Sequence, residues 1–138
     1  MNYTISTEPP PCYEAAREKF SCDFYAEPVA PVFTYGDTIH VASGHLQDDV
    51  LAHELVHVRQ HAAYPGGPAA WWERYLADEM FRYEQEMMAY KEQYRFIDRT
   101  VKDRNRKHSK LMFLARCVKD MYAFPGLGIM EIMNEIKK

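Results

Sequence analysis

The sequence predicts a mainly helical α+β domain in which a small β-hairpin precedes the first long helix. Three observations carry this. Apolar residues recur at steps of three and four through most of the chain after residue 50. Two short β-prone runs flank Gly36-Asp37. Pro and Gly clusters separate the segments. With 138 residues, 47% apolar and 27% charged, there is material for one domain with a core. Residues 1–138 read as a single unit with residues 1–11 as a flexible tail.

That tail ends in Pro9-Pro10-Pro11, which suits the entry to a short helix over Cys12 to Phe20. Pro28 and Pro31 keep residues 27–31 out of a central strand. The hairpin follows, with Val32 to Tyr35 and Thr38 to Ala42 as its arms. A helix over Val50 to Ala62 places Leu51, Leu55, Val58 and Ala62 on one apolar face, with Asp48 and Asp49 at its positive end. Tyr64 to Pro68 reads as a turn or a lid, and Pro68 opens a helix from Ala69 to about Ala77. That helix carries Trp71 and Trp72, whose different azimuths predict that only one is buried. The longest helix, about Asp78 to Val101, has an apolar stripe of Met80, Tyr83, Met87, Tyr90, Tyr94, Ile97 and Val101. Lys102 to Lys110 reads as a polar, basic break. A helix from Leu111 to Phe124 stops at Pro125-Gly126, and a last short helix spans Gly128 to Ile136.

Composition excludes several function classes. Seventeen basic against twenty acidic residues leave a net charge of −3, too small to imply nucleic acid or a membrane surface by itself. No apolar run is long enough to span a bilayer, and the N-terminus lacks the pattern of a secretory signal. Cys12, Cys22 and Cys117 are an odd count without metal-knuckle spacing. They predict free thiols in a reducing, cytoplasmic setting.

The chemistry lies in His53-Glu54-Leu55-Val56-His57. Two histidines four apart share a helix face and can reach one metal ion. Glu54 sits about 100° round the helix from His53, beside the ion rather than on it, where it can handle the proton of an activated water. Six His and twelve Glu in this chain would produce such a motif by chance about 0.02 times.

A catalytic zinc takes three protein ligands and keeps one open position. His61, one turn past His57, would strain a tetrahedral shell as third ligand and reads better as a supporting or solvated group. The better source is a carboxylate of the next long helix. Glu86 lies about 60° from the stripe centre and Glu84 about 100° to the other side. Glu86 is therefore nearer the packed face; Glu79, one heptad earlier, is a weaker candidate.

His53-Glu54-Leu55-Val56-His57 followed by Glu86-Met87-Met88-Ala89-Tyr90 resembles the gluzincin class of zinc metallopeptidases, and more closely its short single-domain bacterial and phage forms. In many of these the third ligand is a Glu on a later helix with a small residue three positions on. Glu86 with Ala89 matches that pattern, and Glu84 with Met87 matches it less well. The order of hairpin, motif helix and glutamate helix is also similar, over about Thr34 to Tyr94. The chain shows no clear counterpart of the His or Tyr pair with which many gluzincins hold the oxyanion.

The resemblance implies a minimal zincin-like fold and a metalloendopeptidase with one Zn²⁺ per chain, held by His53, His57 and Glu86. Glu54 is then the general base that passes a proton to the leaving amine. Tyr90, one turn beyond Glu86, is the first candidate for an oxyanion donor, ahead of His61, Arg59 and Tyr64. The substrate is a peptide or protein, which the Thr38–Val41 strand could receive at its edge. Two other readings remain. One is a non-catalytic zinc module, against which the retained Glu54 argues. The other is a DNA-associated protein docking through residues 102–110, disfavoured by Asp103 and the acidic balance.

Overall fold

The computed structural model describes residues 2–121 and 127–138. In it the expected mainly helical α+β class is present. Three short strands, β1 (Thr4–Ser6), β2 (Phe33–Tyr35) and β3 (Thr38–His40), accompany six helices. These are α1 (Tyr13–Phe20), α2 (Asp48–Ala63), α3 (Gly67–Ala77), α4 (Glu79–Thr100), α5 (Arg104–Met121) and α6 (Ile129–Lys137).

The hairpin is where the sequence puts it, with Gly36 at φ 66 in the turn, a conformation open to glycine. The expected flexible tail is corrected at Thr4–Ser6. These residues pair parallel with Thr38–His40, so the sheet order is β1-β3-β2. Thr4 and Ser6 also exchange backbone hydrogen bonds with Asp37 and Val41. This parallel partner lies more than thirty residues away in sequence and leaves no local signal. It also overturns the expectation for Thr38–Val41: β3 is the central strand, flanked by β1 and β2, and has no edge to offer.

The second correction concerns residues 102–110. Only residues 101–103 separate α4 from α5, and the basic segment is mostly helical. Asp103 accepts hydrogen bonds from the Asn105 and Arg106 amides and so caps the helix. Lys107 pairs with Asp98 at 2.9 Å. The predicted stop at Pro125-Gly126 and the helix end at Phe124 lie outside the described residues.

Two apolar clusters form the core. One joins α4, α5 and α6 through Met87, Ile97, Leu111, Leu114, Val118 and Ile132. The other joins α1, the segment after it, β2, α3 and the start of α4 through Ala16, Phe24, Phe33, Trp71, Trp72 and Phe81. Both tryptophans are buried, against expectation. The reason is that α3 lies between the hairpin and α4, so two adjacent azimuths both find cover. Trp72 donates its indole N–H to the Thr34 carbonyl and Trp71 to Gln85 Oε1.

α4 is likewise covered on two sides. Its predicted stripe, except the exposed Met80, packs toward α5 and α6, while Phe81, Glu86, Ala89 and Gln93 are buried on its other flank. Asp78 caps it by accepting from the Phe81 amide. α2 packs against that second flank. The buried residues of α2 are His53, Glu54, Val56, His57, Val58 and His61. Of the predicted apolar face, Leu51 and Leu55 are half-buried and Ala62 is exposed. A mainly polar face of α2 therefore faces inward. No helix of the described residues is long and apolar enough to cross a membrane.

Candidate metal centre

The inward face of α2 meets α4 at His53, His57 and Glu86, all buried, with one potential ligand atom from each within 4.8 Å of the others. The three meet at nearly equal separations. His53 Nε2 is 3.2 Å from Glu86 Oε1, His57 Nε2 is 3.2 Å from Glu86 Oε2, and the two Nε2 atoms are 3.3 Å apart. Ligands about 2.0–2.1 Å from one zinc ion at the tetrahedral angle lie about 3.3 Å from each other. The donor set and its spacing therefore fit such an ion. Glu84 and Glu79 are exposed and outside this cluster, Glu79 standing 3.8 Å from Arg82.

Each imidazole is oriented from behind. Gln93 Oε1 accepts from His53 Nδ1 at 2.9 Å, and the Gln93 amide donates to Asp49 Oδ2. Gln60 Oε1 accepts from His57 Nδ1 at 2.8 Å, and its amide donates to the Gln85 carbonyl. Because both glutamine amides are spent on acceptors, their oxygens face the rings. With an ion bound, each ring would then carry its proton on Nδ1 and aim the Nε2 lone pair at the shared point. Tyr75 donates its hydroxyl to Glu86 Oε2 at 2.9 Å.

Glu54 stands beside this cluster, its Oε2 3.7 Å from His53 Nε2. Thr34 of β2 donates to its Oε1 at 3.0 Å. Burial pushes the Glu54 carboxyl above its usual range, with the neighbouring imidazoles opposing. Burial acts on Glu86 in the same direction, but His57 and His53 outweigh it and hold that carboxyl well below the usual range. For His57, burial lowers the pKa and the Glu86 carboxylate more than reverses this, leaving it raised to about 9.

The remaining sequence candidates are spread out. Tyr90 packs its ring against His53, centroids 4.6 Å apart, with its hydroxyl 4.0 Å from Met121 Sδ. His61 is neither solvated nor a ligand. Its Nδ1 accepts from the Gly36 amide at 2.9 Å and its ring lies 4.2 Å from that of Trp71. Arg59 is exposed, and Tyr64 packs on Phe81 in the turn between α2 and α3.

Sequence reasoning missed Gln60, Gln93, Thr34 and Tyr75. The glutamines carry a faint signal, since Gln60 is one turn past His57 and Gln93 two turns past Glu86. Thr34 and Tyr75 come from other elements and have none.

A cavity of about 430 Å³ opens onto the cluster, lined by His53, Glu54, His57 and Glu86 on one side. Comparison with known proteins finds no match to a family model, a curated protein or a solved structure. The site's case therefore rests on its own geometry.

Proposed function

We propose that the chain is a zinc-dependent peptidase of the gluzincin type, cleaving peptide bonds with water at the His53, His57 and Glu86 centre. The observation that carries this reading is the near-tetrahedral spacing of three buried candidate ligand atoms with a second carboxylate, that of Glu54, beside them. A structural site has no use for that carboxylate.

A zinc ion bound here supplies a Lewis acid for the scissile carbonyl and a water acidified to near neutrality. The work of the chain's own residues is then defined. Gln93 and Gln60 fix both imidazoles, and Tyr75 fixes Glu86. Thr34 holds one oxygen of Glu54, leaving the other turned to the cluster. Glu54 takes the proton of the attacking water and returns it to the leaving nitrogen, a role that its raised pKa favours. Tyr90, on the cavity wall beside His53, is the donor assigned to the developing oxyanion.

The test is zinc content per chain after dialysis into metal-free buffer, for the parent, His57→Ala and Glu86→Ala. The expected result is one zinc in the parent and its loss in both variants, with Glu54→Gln retaining zinc but not cleaving peptides. A parent that holds no zinc when zinc is added overturns the reading. Zinc held without hydrolysis of any peptide reduces it to a non-catalytic module.

A further inference from the structure

α2 and α4 also meet along a second groove, which the metal centre does not use. On α2 it is lined by Val56, Arg59, Gln60 and Ala63, and on α4 by Met88, Lys91, Glu92 and Arg95. Each set repeats at steps of three, four and seven, so each is one stripe of its helix. The groove holds about 570 Å³. Its apolar lining is Val56, Ala63, Tyr64 and Met88, the last 53% exposed. Its charges are three cations, Arg59, Lys91 and Arg95, against the one acid Glu92. This is a positive patch on a chain of net charge −3. Glu92 is spent on Arg95 at 2.8 Å. Among the described residues no carboxylate forms an ion pair with Arg59 or Lys91, although Lys91 is close enough to Glu135 of α6 to interact electrostatically. Gln60 joins this groove to the metal centre. Its Oε1 accepts from His57 Nδ1, and its amide donates to the Gln85 carbonyl at 3.0 Å. The amide's other partner is Met88 Sδ at 3.7 Å, a weak acceptor. A carboxylate in the groove would be a far better partner for that N–H.

We propose that the groove between α2 and α4 docks an acidic peptide segment carrying an apolar side chain, and that Gln60 transmits its binding to His57. Docking needs no catalysis; its transmission rests on the metal centre described above. From Val56 to Ala63 the helix rises about 10 Å, the span of about three extended residues. Two acids flanking one apolar residue suit that length. The carboxylates meet Arg59 on one wall and Lys91 and Arg95 on the other, while the apolar side chain covers Met88 and leaves water. A nucleic acid suits the groove less well. Three cations neutralise few phosphates, and the acidic balance of the chain opposes a polyanion. A carboxylate held by the Gln60 amide polarises that group and strengthens the bond its oxygen accepts from His57. A better-held imidazole is a better ligand. Docking should therefore tighten zinc, and zinc should tighten docking by the same factor.

The test titrates ¹⁵N-labelled protein, as purified and after zinc loading, with end-blocked Glu-Leu-Glu, Gln-Leu-Gln and Glu-Ser-Glu. Inorganic phosphate and a short single-stranded DNA are the other probes, and mass spectrometry checks that the peptides stay intact. Glu-Leu-Glu should shift the backbone amides of residues 56–63 and 85–95 and bind about 10-fold tighter or more than the other two peptides. Arg59→Glu and Arg95→Glu, both at exposed positions, should weaken Glu-Leu-Glu and favour end-blocked Lys-Leu-Lys in its place. Equal affinity for the three peptides, or affinities unmoved by both variants, overturns the docking. Phosphate or DNA that shifts the same amides at lower concentration than Glu-Leu-Glu overturns the peptide assignment. Zinc affinity, read by competition with a chromogenic chelator, should rise about 5-fold or more with saturating Glu-Leu-Glu over the Gln-Leu-Gln control. That gain should vanish in Gln60→Leu. No gain, or a gain that survives in Gln60→Leu, overturns the transmission. Docking in a protein that binds no zinc leaves the groove standing and removes the metal centre with the transmission. Zinc bound without docking does the reverse.

Discussion

Thr34 donates its hydroxyl to Glu54 Oε1 at 3.0 Å, across twenty residues of sequence. The sheet thereby reaches into the site: the strand that shields the cavity also sets the direction of the proposed base. Thr34→Val keeps the shape and removes the donor. The expected outcome is a fall in kcat of about 10-fold or more, in line with the loss of other orienting partners, with zinc content unchanged. Steady-state kinetics and metal analysis on one preparation check it. A merely structural Thr34 would leave kcat intact.

Glu86 and Glu84 give a contrast within one helix turn. Glu86→Ala removes a buried carboxylate that sits 3.2 Å from His53 Nε2, whereas Glu84 is exposed. Zinc affinity should collapse in the first variant and hold in the second. Competition with a chromogenic chelator measures both, and the reverse pattern would move the ligand to Glu84.

Behind the ligands, Gln93→Leu and Tyr75→Phe should each weaken zinc by about 10- to 100-fold without abolishing it. Gln93 orients His53 and is anchored by Asp49, so Asp49→Asn should have a smaller effect in the same direction. Equal affinities across the series would mean that α2 and α4 alone set the ligands.

His61 makes a prediction about acid. Burial lowers its pKa from 6.5 to about 3, with the charge on His57 adding to the shift. Between those values the unfolded chain binds a proton that the folded one refuses. Stability from this group is present above pH 6.5 and is lost as pH falls toward 3, by at most about 1.4 kcal/mol per unit. In zinc-free protein, His61→Asn keeps an acceptor for the Gly36 amide and should flatten the acid limb of urea-melt stability. An unchanged slope would show that His61 does not titrate in folding.

The two histidines and Glu54 were legible because helix geometry converts a spacing of four into a shared face. Glu86 followed from the same arithmetic on a second helix. The burial of α2 was not legible, because the usual rule turns Leu51 and Leu55 inward. Here His53, Glu54 and His57 face inward instead, bonded to one another and to partners on α4 and β2. Local preference commonly yields to such sites. Strand β1 was missed because parallel pairing with β3 depends on residues far away in sequence. The tryptophan pair was misjudged because a helix enclosed on two sides has no single buried face.

The two-sided burial of α4 has a consequence for how the molecule loosens. Glu86 and Met87 are neighbours on that helix, one turned to the metal cluster and the other to the core shared with α5 and α6. Fraying of the C-terminal helices would remove half the support of α4 and let its carboxylate drift. By thermodynamic reciprocity, an ion that holds Glu86 in place would also disfavour the opened state of helices it never touches. Amide exchange in α5 and α6, far along the chain from His53, would then serve as a gauge of metal occupancy.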